Sequence, residues 1–112
     1  MGKSERRKGT RGEQEAARFW VALGMMVKRV GGTEATRGGA RGWDLEVGGT
    51  DGTTWNVQVK AVQIWPNVAK VFAEGATLLQ VHLTNRGRYI IVHEDDLDLL
   101  ASDVHRAKRA EA

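Results

Sequence analysis

The chain has 112 residues, 41% of them hydrophobic and 28% charged, which suits one soluble globular domain and leaves no room for two. No apolar run approaches the roughly 18–20 residues that cross a bilayer, and the basic start is not followed by the apolar stretch of a secretory signal, so the expectation is a cytoplasmic protein without a membrane partner. The absence of cysteine excludes disulfide frameworks, thiolate nucleophiles and zinc fingers.

The net charge of +3 is unevenly placed: residues 1–11 carry Lys3, Arg6, Arg7, Lys8 and Arg11 against Glu5, a net +4, which leaves the other 101 residues at −1. A flexible basic arm over residues 1–10 is expected ahead of a single domain over 11–112. Such arms gain affinity for polyanions by releasing condensed counterions, which makes nucleic acid the natural partner; the plainer reading is a solvated tail.

Thr10-Arg11-Gly12-Glu13 reads as a capping box, and Ala16, Ala17, Trp20 and Leu23 follow at helical spacing, which predicts a first helix over 11–23. Met25 to Val30 has the content of a short strand. Residues 31–42 hold five glycines and no apolar side chain larger than Ala, which predicts a mobile loop bearing Arg37 and Arg41.

Two runs then alternate strictly. Trp43, Leu45 and Val47 interleave with Asp44 and Glu46; Trp55, Val57 and Val59 interleave with Asn56, Gln58 and Lys60. A three-residue loop at Thr50-Asp51-Gly52 pairs Val47 with Trp55, Glu46 with Asn56, Leu45 with Val57 and Asp44 with Gln58, so that the faces match throughout. A two-residue turn would mix polar with apolar faces. The expected hairpin has one core face of Trp, Leu and Val and one polar face gathering Asp44, Glu46, Gln58 and Lys60.

Beyond Pro66, a short helix over 67–74 stops at Gly75. Its Val68, Val71 and Phe72, with Trp65, offer a face for a dimer. Residues 78–84 and 88–92 read as a second hairpin around Asn85-Arg86-Gly87, with His82 on the polar side of its strand beside Gln80 and Thr84. A C-terminal helix over 94–109 has acids in its first turn and Arg106, Lys108 and Arg109 at its end, as the helix dipole favours. The order α-β-β-β-α-β-β-α predicts an α/β fold around one central mixed sheet flanked by helices.

Asp44 and Lys60, expected on one face of adjacent strands, form the kind of pair that metal-assisted phosphodiester hydrolysis uses. A carboxylate can hold Mg²⁺ while an ammonium stabilises the charge developing on phosphorus. Gln58 can lend an amide oxygen. Glu13 shares the helix stripe of Ala16 and Trp20 and can reach the same place, although it also reads as half of its capping box.

These residues resemble the PD-(D/E)XK nuclease superfamily and, within it, the archaeal-type Holliday junction resolvases, including those carried by phages of thermophiles. Residues 7–15 look like the basic opening of those enzymes, which leads into a helix with the first catalytic Glu. Trp43-Asp44-Leu45-Glu46-Val47 stands where the family has its metal-binding Asp, and Val57-Gln58-Val59-Lys60 stands at its E-x-K signature. The resemblance implies a restriction-endonuclease-like core. It implies Glu13, Asp44, Gln58 and the Val59 carbonyl as metal ligands, with Glu13, Asp44, Gln58 and Lys60 as the catalytic set. It also implies Mg²⁺, replaceable by Mn²⁺, a homodimer, and paired nicks in four-way DNA junctions in the cytoplasm, that of the host cell if phage-encoded. Phosphate contacts fall to Lys3, Arg6, Arg7, Lys8, Arg11, Arg37 and Arg41. The departure is Gln58 in place of Glu, which removes a negative charge; Glu46, about 6.6 Å along the strand from Asp44, is the residue that can compensate. Other branched or duplex DNA substrates, and a non-catalytic junction-binding module, stand as alternatives.

Overall fold

The structure, a computed structural model, describes residues 2–30, 42–48 and 53–111, with residues 2–10, 110 and 111 described by backbone only. Its elements are α1 (Gly2–Ala22), β1 (Met26–Arg29), β2 (Leu45–Gly48), β3 (Thr54–Val62), α2 (Val68–Ala73), β4 (Leu78–Leu83), β5 (Gly87–Val92) and α3 (Leu97–Glu111), with a 3₁₀ turn at Glu94–Asp96. This is the expected element order. The strands form one sheet in the order β1-β2-β3-β4-β5. Neighbours are antiparallel except β3 and β4, whose parallel pairing follows from α2, the helix that carries the chain from the end of one strand to the start of the next.

The first hairpin has the expected register, with Leu45 opposite Val57, Glu46 opposite Asn56 and Val47 opposite Trp55. Its turn at 50–52 and the glycine-rich loop with Arg37 and Arg41 lie outside the described residues. The second hairpin pairs Leu83 with Gly87, so the turn is Thr84-Asn85-Arg86, with Asn85 at φ 61° and Gly87 at φ 106°.

Two cores result. Ala16 and Trp20 of α1 and Leu100 and Ala107 of α3 pack on Leu45, Val47, Trp55, Val57 and Leu78. On the opposite face Val71 of α2 packs on Leu79, Val81 and Leu83. Strand β4 is therefore covered on both sides, which is why it reads as nearly continuous apolar sequence. Val68 and Phe72, expected with Val71 and Trp65 to offer a dimer face, are half-buried against this second core. Trp65 stacks instead on Tyr89, with ring centroids 5.0 Å apart.

Among the described residues, two polar groups are buried with the core, each beneath a tryptophan. The indole Nε1 of Trp20 donates to Gln80 Oε1 at 2.8 Å, and that of Trp55 donates to Asp103 Oδ2 at 2.8 Å. Gln80 and His82 share one side of β4 as the alternation predicts, but Gln80 is buried under α1 while His82 is exposed.

The first helix begins nine residues earlier than expected, and the expected flexible arm over 1–10 is helical from Gly2 onward. Thr10 stands inside the helix, not at its cap, because Ser, Glu, Arg and Lys before it are compatible with continued helix. No helix among the described residues is long and apolar enough to cross a membrane.

Asp103 is 0% exposed and its Oδ1 has no hydrogen-bond partner among the described residues, so the Trp55 indole carries its polar satisfaction. Replacing Trp55 by Phe keeps most of the ring and strands that carboxylate. The expected loss is about 2–3 kcal/mol by urea denaturation, and a loss within about 0.5 kcal/mol would contradict it.

Candidate functional site

Strand β2 runs antiparallel to β1 and β3, so the end of β1, the start of β2 and the second half of β3 meet at one end of the sheet. Arg29, Asp44 and the Gln58-Val59-Lys60 segment therefore converge there, and α1 brings Glu13 to them on the stripe that buries Ala16 and Trp20.

Asp44 occupies an irregular point in the ladder. The Asn56 N–H and carbonyl both face β4, so Leu45 and Val57 face each other across β2 and β3, and in a regular strand the Asp44 N–H would point with its carbonyl toward β1; it donates instead to the Val57 carbonyl at 2.9 Å. The Val59 N–H then donates to Asp44 Oδ2 at 2.9 Å. A side-chain carboxylate has taken the place of a backbone carbonyl at the point where β2 parts from β3. An N–H lies in the plane of its sheet, so Asp44 is held in that plane, between the layer of α1 and the layer of α2.

The same irregularity corrects the expected core face. Strict alternation puts Trp43 with Leu45 and Val47, yet Trp43 packs with the second core and its Nε1 donates to Glu46 Oε2 at 3.1 Å. Gly75, at φ 113°, lies against the Trp43 ring, where an added Cβ would stand 2.8 Å from Cζ3. The indole is thus seated on the end of α2 directly before Asp44, and Glu46 turns toward it.

Burial raises the Asp44 carboxyl above its ordinary value of 3.8; the Val59 N–H lowers it, the Glu13 carboxylate raises it and the Lys60 ammonium lowers it. The charges of Glu13 and Lys60 thus both act on Asp44, while Glu46 is not among the groups that perturb it. Gln58 and Val59 flank this point on β3, both half-buried.

One residue that sequence reasoning passed over is Arg29, whose Nη2 lies 3.0 Å from Glu13 Oε1. It sits at the end of a four-residue edge strand, and only the pairing of β1 with β2 brings it here. On the other side of the helix, Glu15 Oε2 lies 2.7 Å from Arg88 Nη2 on β5. Helix α1 is thereby tied to both edge strands of the sheet. Of the expected phosphate contacts, Arg11 is exposed on α1; Lys3, Arg6, Arg7 and Lys8 lie on its first turns and are described by backbone only; Arg37 and Arg41 lie outside the described residues.

The donor chemistry suits a hard cation. Mg²⁺ typically binds through one or two carboxylates and keeps several waters, and here two carboxylates that repel each other lie at a half-buried point. No group of three His, Cys, Asp or Glu that could hold a metal ion gathers among the described residues. Arg29 pairs with one of the two carboxylates, that of Glu13.

The raised Asp44 carboxyl has a consequence for stability. A carboxyl titrating higher in the fold than in the open chain contributes stability that is complete below the ordinary value and is lost as pH rises through the raised one. In the absence of divalent cation, Asp44→Asn keeps an oxygen for the Val59 N–H and removes the buried charge. It is expected to melt at or above the wild-type temperature at pH 7, with the difference vanishing toward pH 3.5. A variant that melts below wild type at pH 7 would contradict this.

Compared with known proteins, the chain matches no protein-family model and no curated protein.

Proposed function

We propose that the chain is a metal-dependent endonuclease of PD-(D/E)XK type that cuts branched DNA, with the four-way junction as its main substrate. The observation that carries this reading is that Asp44 lies near enough to Glu13 and Lys60 for the charge of each to bear on its carboxyl, three groups that the sequence resemblance also names. On this reading the sheet and its helices form a restriction-endonuclease-like core.

Mg²⁺ or Mn²⁺ held by Glu13, Asp44, Gln58 and the Val59 carbonyl would supply Lewis-acid activation of the scissile phosphodiester. Lys60 places an ammonium beside the phosphate, where it stabilises negative charge as that charge develops on the oxygens. Asp44, locked onto the Val59 N–H, keeps one orientation and needs no reorganisation when substrate arrives. Arg29 restrains the Glu13 carboxylate through their 3.0 Å ion pair. Lys3, Arg6, Arg7, Lys8 and Arg11, with Arg37 and Arg41, supply phosphate contacts, which give affinity without reading bases and suit an enzyme that selects shape. Cutting two opposed strands of a two-fold junction takes two such sites, so the working form on this reading is a homodimer.

A second reading, a junction-binding module without catalysis, is favoured by two specific features. Gln58 brings no charge to the site, and Glu13 already has a cationic partner in Arg29.

A synthetic four-way junction with Mg²⁺ separates the two. Paired nicks are expected from wild type, none from Asp44→Asn or Lys60→Ala, and a gel shift from all three. Cutting that survives Asp44→Asn refutes the site, and a shift with no cutting in any divalent cation selects the binding module. Gln58→Glu adds a carboxylate where the resemblance expects one and should lower the Mg²⁺ concentration for half-maximal cutting by about tenfold. An unchanged requirement would remove Gln58 from the ligand set.

A further inference from the structure

Beside the acidic site, a groove of about 200 Å³ opens between α1 and strands β3 to β5. Gly12 and Phe19 line it from the helix, and Ala61, His82, Arg88 and Ile90 from the sheet. Lys60 also borders it, so the groove and the site share a wall.

Gly12 is the informative residue. It lies well inside a 21-residue helix, where glycine is the least favourable residue after proline. A Cβ built on it meets nothing within 4 Å. The packing of the chain therefore does not require a glycine here, and the bare helix backbone faces a groove. The space that a side chain would take is left open to something from outside.

We propose that this groove receives a single unstacked nucleobase of the DNA strand held at Asp44 and Lys60. The inference rests on the nucleic-acid reading above and names the feature of the substrate that the site selects. A space of about 200 Å³ is too small for a duplex and suits one planar ring system. Its apolar surfaces, Ala61 and Ile90, and the ring of Phe19, 44% exposed, suit the faces of a base. The exposed His82 ring can hydrogen-bond a base edge, whichever base is present. Arg88, paired with Glu15, places a cation at the β5 side of the groove. A base can enter only where it is already unpaired or cheaply unstacked, which is the condition at a branch point or bulge.

The test uses the full chain without divalent cation and two DNA probes of equal length, a fully paired duplex and one with a single bulged 2-aminopurine. Wild type is expected to bind the bulged probe at least tenfold more tightly and to change the 2-aminopurine fluorescence on binding. Phe19→Ala and Gly12→Leu should each bring the bulged probe to within about threefold of the paired one. Gly12→Ala should melt no lower than wild type. Equal affinity of wild type for both probes, a preference that survives Gly12→Leu and Phe19→Ala, or a Gly12→Ala variant that melts lower overturns the proposal. If Gly12→Leu does not fold, Phe19→Ala decides. Because nothing here depends on cutting, a bulge preference without nuclease activity would sink the catalytic reading alone, and nicking without a bulge preference would sink the groove alone.

Discussion

The bond between the Val59 N–H and the Asp44 carboxylate is the constraint on which the rest of the site depends. A strand that leaves its neighbour strands an amide, and burying that amide unpaired would be costly. Here a side chain satisfies it, so the same contact ends the regular ladder, fixes an ionisable group in the plane of the sheet and reverses the side to which the preceding indole points. Trp43 goes to the α2 layer, and Gly75 leaves room for it. The acid is positioned by strand geometry as much as by its own rotamer.

The electrostatics that follow are balanced without being relaxed. Burial and Glu13 act against the ionised form of Asp44, while Lys60 and the amide act for it. Glu13 is in turn partnered by Arg29. Two acids and two bases share the end of the sheet, an arrangement that holds charge at a half-buried point by mutual compensation. The ion pairs of α1 are partly exposed and individually weak, so their main effect is on where the helix sits over the sheet.

Much of this was legible in the sequence for a definite reason. Period-two alternation on both sides of one turn fixes register, because a slip by one residue would move every apolar side chain of Leu45, Val47, Trp55 and Val57 to the wrong face. Register brought Asp44 beside the Gln58–Lys60 segment, and helical spacing of Glu13 with Ala16 and Trp20 put the third group at the same end. The position of Trp43 was not legible, because alternation assumes an unbroken ladder and the break lies in a side-chain bond. Arg29 was not legible either, since its role comes from pairing between β1 and β2 across residues without periodic signal. Gln80 and Asp103 look like surface polar residues in sequence. Only the tertiary meeting of each with an indole N–H makes its burial affordable.

The length of α1 carries a last consequence. The acid at position 13 and the basic residues of its first turns lie along one rod, with Lys3 about 15 Å from Glu13 at 1.5 Å of rise per residue. On the nuclease reading the helix is a measuring stick: a phosphate gripped at its outer end fixes how far along the backbone the strand meets the acid. On that same reading, with the inner end of the stick tied to both rims of the sheet, distance and not base identity would be what the protein gauges.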